Sequence, residues 1–272
     1  MSITTVPKLF DVVNIVAQTT DLIRDNFRNH NHSPHQLRCM IDAALQDWAT
    51  NQDLGYISSQ SSSYSGQDYV LCTEPLESAD KYVYGFAEAT TIACIMERAG
   101  DKWLPQVAVI HDALHQWTWA TSTATLPRTN IWHKGYHPSS FAPHQVQAPY
   151  RVQLSEDPFS LFDLHGLEQS LRSNGDLVTM SDNTPGLVGG LIRLGTVHGN
   201  VYTGDNACIP AASGLILRDT SAVITDLDGQ PIDGFELCLD GNSASLLVRN
   251  GMIIAANHQV STAIQQTIAG QF

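Results

Sequence analysis

The sequence predicts an α/β fold built as α+β layers. Runs with helical and strand spacing alternate along the chain instead of segregating into one half each. Gly- and Pro-marked breaks separate them at short intervals. The chain has 272 residues, 43% of them hydrophobic and only 15% charged, enough apolar side chain for one large unit or two ordinary ones.

The elements follow in order. Leu9, Val12, Val13, Val16, Leu22, Ile23 and Phe27 recur at helical spacing, with Pro7 suited to a first turn. Residues 29–34 break the pattern. Ser33 then caps a second helix that has Pro34 at its first position. Its apolar stripe is Leu37, Met40, Ile41, Ala44, Leu45 and Trp48, and the two helices are expected to pair antiparallel. Ser58 to Gly66 is almost entirely Ser, Gln and Gly and reads as a loop. An antiparallel meander follows: Tyr69 to Thr73, Ala87 to Glu97, Gln106 to His111 and Gln116 to Thr121, with Gly100-Asp101 turning between the second and third runs. Prolines, histidines and aromatics crowd Pro127 to Pro149, which reads as a connection.

The second half opens with a helix over Leu161 to Leu171. Pro185 starts another over Thr184 to Gly195, and a strand follows at Val197 to Tyr202. Pro210 to Arg218 is small and apolar, as in a buried helix. Ala222 to Asp226 is a strand ended by the Asp228-Gly229 turn. Leu246 to Val248 and Met252 to Ala255 are short strands, and His258 to Ile268 is a closing helix.

Charge narrows the function. Lys and Arg number 14 against 27 Asp and Glu, a net charge of −13. Such a surface repels nucleic-acid phosphates and anionic membranes, so neither is an expected partner. No apolar run is long enough to cross a bilayer, and Met1 to Phe10 lacks the pattern of a secretory signal. Cys39, Cys72, Cys94, Cys208 and Cys238 are scattered and contain no Cys-x-x-Cys pair, as expected of reduced thiols in a cytoplasmic protein.

The C-terminal third carries a resemblance. Ala211-Ala212-Ser213-Gly214-Leu215-Ile216-Leu217 precedes Ala222-Val223-Ile224-Thr225-Asp226-Leu227-Asp228-Gly229-Gln230-Pro231-Ile232. Ile253-Ile254-Ala255-Ala256-Asn257 stands before the last helix. Upstream lie Glu74-Pro75-Leu76-Glu77-Ser78-Ala79 and Tyr84-Gly85-Phe86. In order and spacing over nearly the whole chain these resemble the inositol monophosphatase family. That family's motifs are Asp-Pro-Leu-Asp-Gly-Thr, a Trp-Asp-x-Ala-Ala-Gly helix and a Gly-Val-Val-Thr-Asp-x-x-Gly-x-Pro turn. The resemblance implies an αβαβα sandwich: residues 1–147 form a helical pair and antiparallel sheet, and residues 148–272 an α/β half, in one integrated unit. It also implies a homodimer, to which the aromatic segment from Trp132 to Tyr150 is expected to contribute.

Family members hydrolyse phosphate monoesters with Mg²⁺, which demands octahedral oxygen ligands, mostly carboxylates. The implied ligand positions are degenerate here. Ser58-Ser59-Gln60 stands where the family has Gly-Glu-Glu, so Ser59 and Gln60 replace carboxylates. Glu74 and Glu77 replace both Asp residues and are the remaining candidate metal ligands. Ser78 and Ala79 replace the Gly-Thr step that offers amides to phosphate, and Ile209 stands at the Asp after Trp. Asp205 lies three or four residues early, and Asp80 adds negative charge where a phosphate would enter. Lys81, four residues after Glu77, is the candidate counter-charge in place of a cation, the competing reading being that Lys81 and Asp80 point to solvent.

The resulting expectation is a pseudophosphatase with no cofactor, acting through a protein partner or a small phosphorylated ligand. The alternative is a Mg²⁺- or Mn²⁺-dependent phosphomonoesterase for inositol or sugar phosphates using Glu74, Glu77 and Asp205, or other chemistry in the same cleft.

Other motifs are weighed against it. His30, His32 and His35 cluster, His111 and His115 are four apart, and His133, His137 and His144 crowd the connection; solvated loop histidines and a transition-metal site are the competing readings. Gly186 to Gly190 lacks the strand-to-helix context of a phosphate loop and suits helix packing. Trp103, Trp117, Trp119 and Trp132 suit core packing or a groove.

Overall fold

A computed structural model describes residues 7–29, 31–77, 89–124, 128–133, 146–155, 164–173, 175, 177–180, 185–204, 206–240, 243–248 and 251–269. Helix α1 spans Leu9–Asn29 and α2 spans Pro34–Asn51. The cap of α2 is a reciprocal box: Gln36 N–H donates to the Ser33 hydroxyl at 3.2 Å, and the Gln36 side chain accepts from Ser33 N–H at 2.9 Å. Pro7 lies just outside α1 rather than in its first turn.

Strands β1 (Gly55–Ser58), β2 (Ser62–Ser63), β3 (Tyr69–Glu77), β4 (Thr90–Ala99), β5 (Lys102–Asp112), β6 (Trp117–Ser122) and β7 (Asn130–His133) form the first sheet with β12 (Phe235–Asp240) and β13 (Ser243–Leu247). From β3 to β7 each strand pairs antiparallel with the next, as the meander predicts, whereas β1 and β3 run parallel. Its order is β13-β12-β5-β4-β3-β1-β2, with β6 and β7 continuing from the far part of β5. The two ends of that order approach, for Ala244 N–H donates to the Ser62 hydroxyl at 2.9 Å.

The second sheet has five strands in the order β11-β14-β10-β8-β9. Its members are β8 (Tyr150–Ser155), β9 (Leu177–Met180), β10 (Gly199–Tyr202), β11 (Val223–Thr225) and β14 (Met252–Ala255). The remaining helices are α3 (Leu164–Ser173), a 3₁₀ turn at Pro185–Leu187 running into α4 (Val188–Arg193), α5 (Cys208–Leu217) and α6 (His258–Ala269).

Period-two alternation assigns the faces. Tyr56, Leu71, Ala93, Ile95, Val107 and Val109 face α1 and α2 and form one core with Val12, Val16, Ile23, Leu37, Ile41 and Leu45. The other face, carrying Val70, Cys72, Ile92, Cys94, Ile110 and Trp119, packs on Cys208, Ile209, Ala212 and Ile216 of α5. Val188, Ile192 and Leu217 meet Ile254 of the second sheet, whose outer face packs Val201 and Ile253 on Leu171, Val260 and Ile264. The layers are thus αβαβα. Each fully buried aliphatic side chain contributes about 1.5–3 kcal/mol of transfer free energy.

Several local readings need correction. Ser58 to Gly66 is not all loop, because it contains β2 and the end of β1. The connection after Pro127 includes β7, which pairs with β6. Gln116 is not in the strand: it sits at φ 60° in the turn before β6. The readings omitted β1, β8, β9 and β12. Among the described residues no helix is long and apolar enough to cross a membrane.

Candidate functional site

The end of β3 positions the two glutamates. Register shifts between Glu74 and Glu77, which pair with Ile92 and Thr90 of β4, so the Pro75-Leu76 step forms a bulge. Both carboxylates are buried. Glu74 accepts 2.9 Å from the Asn206 amide nitrogen and is also bonded by the Ser59 hydroxyl. Burial, the largest influence, pushes its carboxyl above the ordinary range; Arg38, Ser59 and Asn206 pull it back, while Asp42 raises it further. Glu77 packs against the start of the 3₁₀ turn, where a Cβ added at Gly186 would stand 3.0 Å from Glu77 Oε2.

The cation beside Glu74 is Arg38 of α2. Its Nε and a terminal nitrogen both donate to the Leu76 carbonyl, at 3.1 and 2.8 Å. The expected counter-charge, Lys81, lies outside the described residues, as do Ser78, Ala79, Asp80 and Asp205. Asn206, next to Asp205, has two tasks: its amide nitrogen serves Glu74, and its Oδ1 accepts from Cys208 N–H at 2.8 Å at the start of α5. One side chain therefore ties the α5 N-terminus to the β3 bulge.

Ser59 and Gln60 are exposed in a turn held from below. Asp42 of α2 accepts from the hydroxyls of Tyr56 at 2.7 Å, Ser58 at 2.6 Å and Ser61 at 2.6 Å, and Tyr56 also meets the Thr73 hydroxyl at 2.8 Å. Burial, with the nearby Asp42 charge, pushes the Tyr56 phenol well above its ordinary range. The loop that would carry acidic ligands is instead a closed ring of hydroxyls on one carboxylate.

Ile209 is 5% exposed and belongs to the core between α5 and the first sheet. Beside it the Cys208 thiol donates to the Cys72 carbonyl at 3.2 Å, and burial pushes Cys94 and Cys208 far up, so these are protonated packing groups rather than nucleophiles. Among the described residues no three His, Cys, Asp or Glu side chains converge as metal ligands. Around Glu74 the donors are an amide, a hydroxyl and a guanidinium. The amide and the hydroxyl occupy carboxylate lone pairs that an octahedral Mg²⁺ would need, and the guanidinium, bonded to the Leu76 carbonyl, adds positive charge beside them, so this donor set does not fit the ion.

The other candidates resolve individually. His111 and His115 do not converge: His111 is buried with Nδ1 2.6 Å from the Thr118 hydroxyl, while His115 turns away to Asp112 at 2.7 Å. His133 stacks on Trp117 with centroids 4.3 Å apart, while His30, His137 and His144 lie outside the described residues. Gly189 and Gly190 are packing glycines, since a Cβ would come within 2.7 Å of Ser213 Cα and 2.5 Å of the Trp119 ring. Trp103 and Trp119 are core residues.

No family model matches the sequence, and no curated protein matches it. Solved structures do match in fold. The extragenic suppressor protein suhB from Bartonella henselae superposes with a TM-score of 0.70 at 13% identity, covering 96% of this chain and 100% of that one. An inositol monophosphatase from Anabaena (Nostoc) gives a TM-score of 0.70 at 12% identity over 96% of each chain. An inositol monophosphatase from Zymomonas mobilis gives 0.66 at 16% identity, over 97% of this chain and 100% of that one.

Proposed function

With the inositol monophosphatase fold as premise, we propose that this chain is a pseudophosphatase that works by binding a protein partner or a small phosphorylated ligand. The observation that carries the reading is the set of protein donors around Glu74. Arg38 supplies positive charge beside it, Asn206 and Ser59 supply its hydrogen bonds, and Ile209 supplies only packing. A dication would have to displace these groups before it gained a full ligand set. Five free cysteines accord with a reducing, cytoplasmic setting. A homodimer is part of the proposal, with Trp132 to Tyr150 as a contributor; a solution mass equal to the 29.7 kDa chain would count against it.

The test is calorimetry with Mg²⁺ and Mn²⁺, together with phosphate release from inositol and sugar phosphates. The expected result is no Mg²⁺ binding below roughly millimolar concentration and no release. Restoring Glu74→Asp and Glu77→Asp together should leave the protein inactive, because Ser59 and Ile209 still supply no ligand. Mg²⁺-dependent turnover by the unmodified protein would overturn the reading.

One observation favours the alternative. Glu74 and Glu77 keep buried carboxylates, and burial holds the Glu74 carboxyl above its ordinary range. A divalent cation is a common remedy for such a group, and Glu74, Glu77 and Asp205 would then be its ligands, with Mg²⁺ or Mn²⁺ polarising a phosphate ester.

A further inference from the structure

On the opposite face of the first sheet, away from α5, a cavity of about 450 Å³ opens between α1 and the strands β5 to β7. Small-molecule sites commonly enclose about 300–1,000 Å³. Its apolar walls are Val13, Ala17 and Ala113, and Phe10 and Trp132 stand together in it. Phe10 is 63% exposed and meets the Trp132 ring edge-on, with centroids 6.3 Å apart. A phenylalanine left this exposed beside a tryptophan forms an aromatic corner able to take a flat apolar group.

Two polar groups of the cavity, Gln116 and Asp21, meet Arg24 of α1. The Gln116 carbonyl oxygen, with its amide oriented to suit its neighbours, accepts from both terminal guanidinium nitrogens at 3.2 and 2.9 Å. Gln116 holds this position from φ 60°, a backbone region costly for a residue with a Cβ. His111 and Thr118 form the floor, 2.6 Å apart. In the tautomer whose Nδ1 accepts from the Thr118 hydroxyl, the neutral imidazole carries its proton on Nε2 and offers one donor. Burial, with the Arg24 charge second, pushes His111 down to about 4, so the ring stays neutral at physiological pH.

We propose that this cavity binds a small monocarboxylate with a flat apolar body, its carboxylate at Arg24 and His111 and its ring against Phe10 and Trp132. Gln116 engages one edge of the guanidinium, and of its five N–H donors those that remain are offered to a carboxylate. The charged groups of the lining, Arg24 and Asp21, offset one another, so the cavity has no surplus positive charge for a dianion. Arg24 is the cation there, and Asp21, 3.5 Å from it and 71% exposed, opposes a second negative charge. A phosphate dianion is thereby disfavoured. The site shares no residue with the Glu74 cleft and stands whether or not that cleft is catalytic.

The test is calorimetric titration of the full chain with benzoate, acetate and inorganic phosphate. Benzoate should bind saturably with Kd on the order of 1 mM or tighter, acetate at least tenfold more weakly, and phosphate not measurably. Arg24→Met should weaken benzoate at least tenfold, and Phe10→Ala, at an exposed position, about threefold or more. Glu74→Gln should leave benzoate binding unchanged, which separates this site from the cleft. No saturable benzoate binding up to about 20 mM would overturn the proposal. So would unchanged affinity in Phe10→Ala, the variant that keeps the test valid should Arg24→Met not fold.

Discussion

Asp42 and Glu74 are both buried carboxylates, near enough that each charge acts on the other, yet they are served differently. Asp42 sits inside a ring of three hydroxyl donors at 2.6–2.7 Å. Glu74 receives one amide, one hydroxyl and a guanidinium bonded elsewhere, and for it burial outweighs that help. The difference separates a carboxylate fully served by donors from one for which burial outweighs its donors. The first stabilises the fold as the shared acceptor of three hydroxyls; the second costs free energy to ionise where it is.

The comparison can be broken most directly at Asp42. Asp42→Ala removes the acceptor shared by Tyr56, Ser58 and Ser61 and should cost about 3–4 kcal/mol in urea unfolding. A loss near that of an ordinary surface change would end the distinction. Asn206→Ala removes the donor to Glu74 and the acceptor for Cys208 N–H together, and should cost about 2 kcal/mol by the same measurement. Tyr56→Phe deletes one donor of the ring and the partner of Thr73, for about 1–1.5 kcal/mol.

The smallest expected effect is the sharpest. Glu74→Gln should unfold at neutral pH within about 0.5 kcal/mol of the parent or be more stable, because it never ionises. The sign follows from the raised carboxyl. Above the ordinary Glu value of 4.5 the folded parent binds more protons at this position than the unfolded chain, so its stability falls as pH rises through that window. The gap between variant and parent should therefore widen in the variant's favour from acid to neutral pH. A gap of opposite slope would mean that the fold favours the ionised form of Glu74 and would overturn this reading.

Much of the layering was legible because it rests on local periodicity. The stripes of α1 and α2, the Ser33 cap, the meander and the buried α5 all follow from spacing within one element. Strands β8 and β12 carry readable alternation, Tyr150-Val152-Leu154 and Phe235-Leu237-Leu239, that the element-by-element reading passed over. The pairing of Phe235 with Trp103 is different in kind, since nothing within either segment announces a partner so far away in sequence. The site divides in the same way. Glu74, Glu77 and Ile209 were found by resemblance. Arg38 and Asp42 were missed because a charged residue on a helix is ordinarily a solvated one. A signal existed: both lie beside the stripe Leu37, Ile41, Leu45 and Ala49, which places their charges at the edge of the buried face.

The return of β12 to β5 bears on how the chain is made. A nascent polypeptide that has emerged only as far as β7 holds most of the first sheet and the two helices of one face, yet the Lys102–Trp103 end of β5 still lacks the strand that pairs with it there. That edge stays unsatisfied until synthesis has passed residue 240, after β8 to β11 have appeared. At about 5–20 residues per second this is an interval of several seconds or more. During it the bare strand can pair with another copy of itself or with a chaperone, so the yield of folded protein should depend more on translation speed across this stretch than on the stability finally reached.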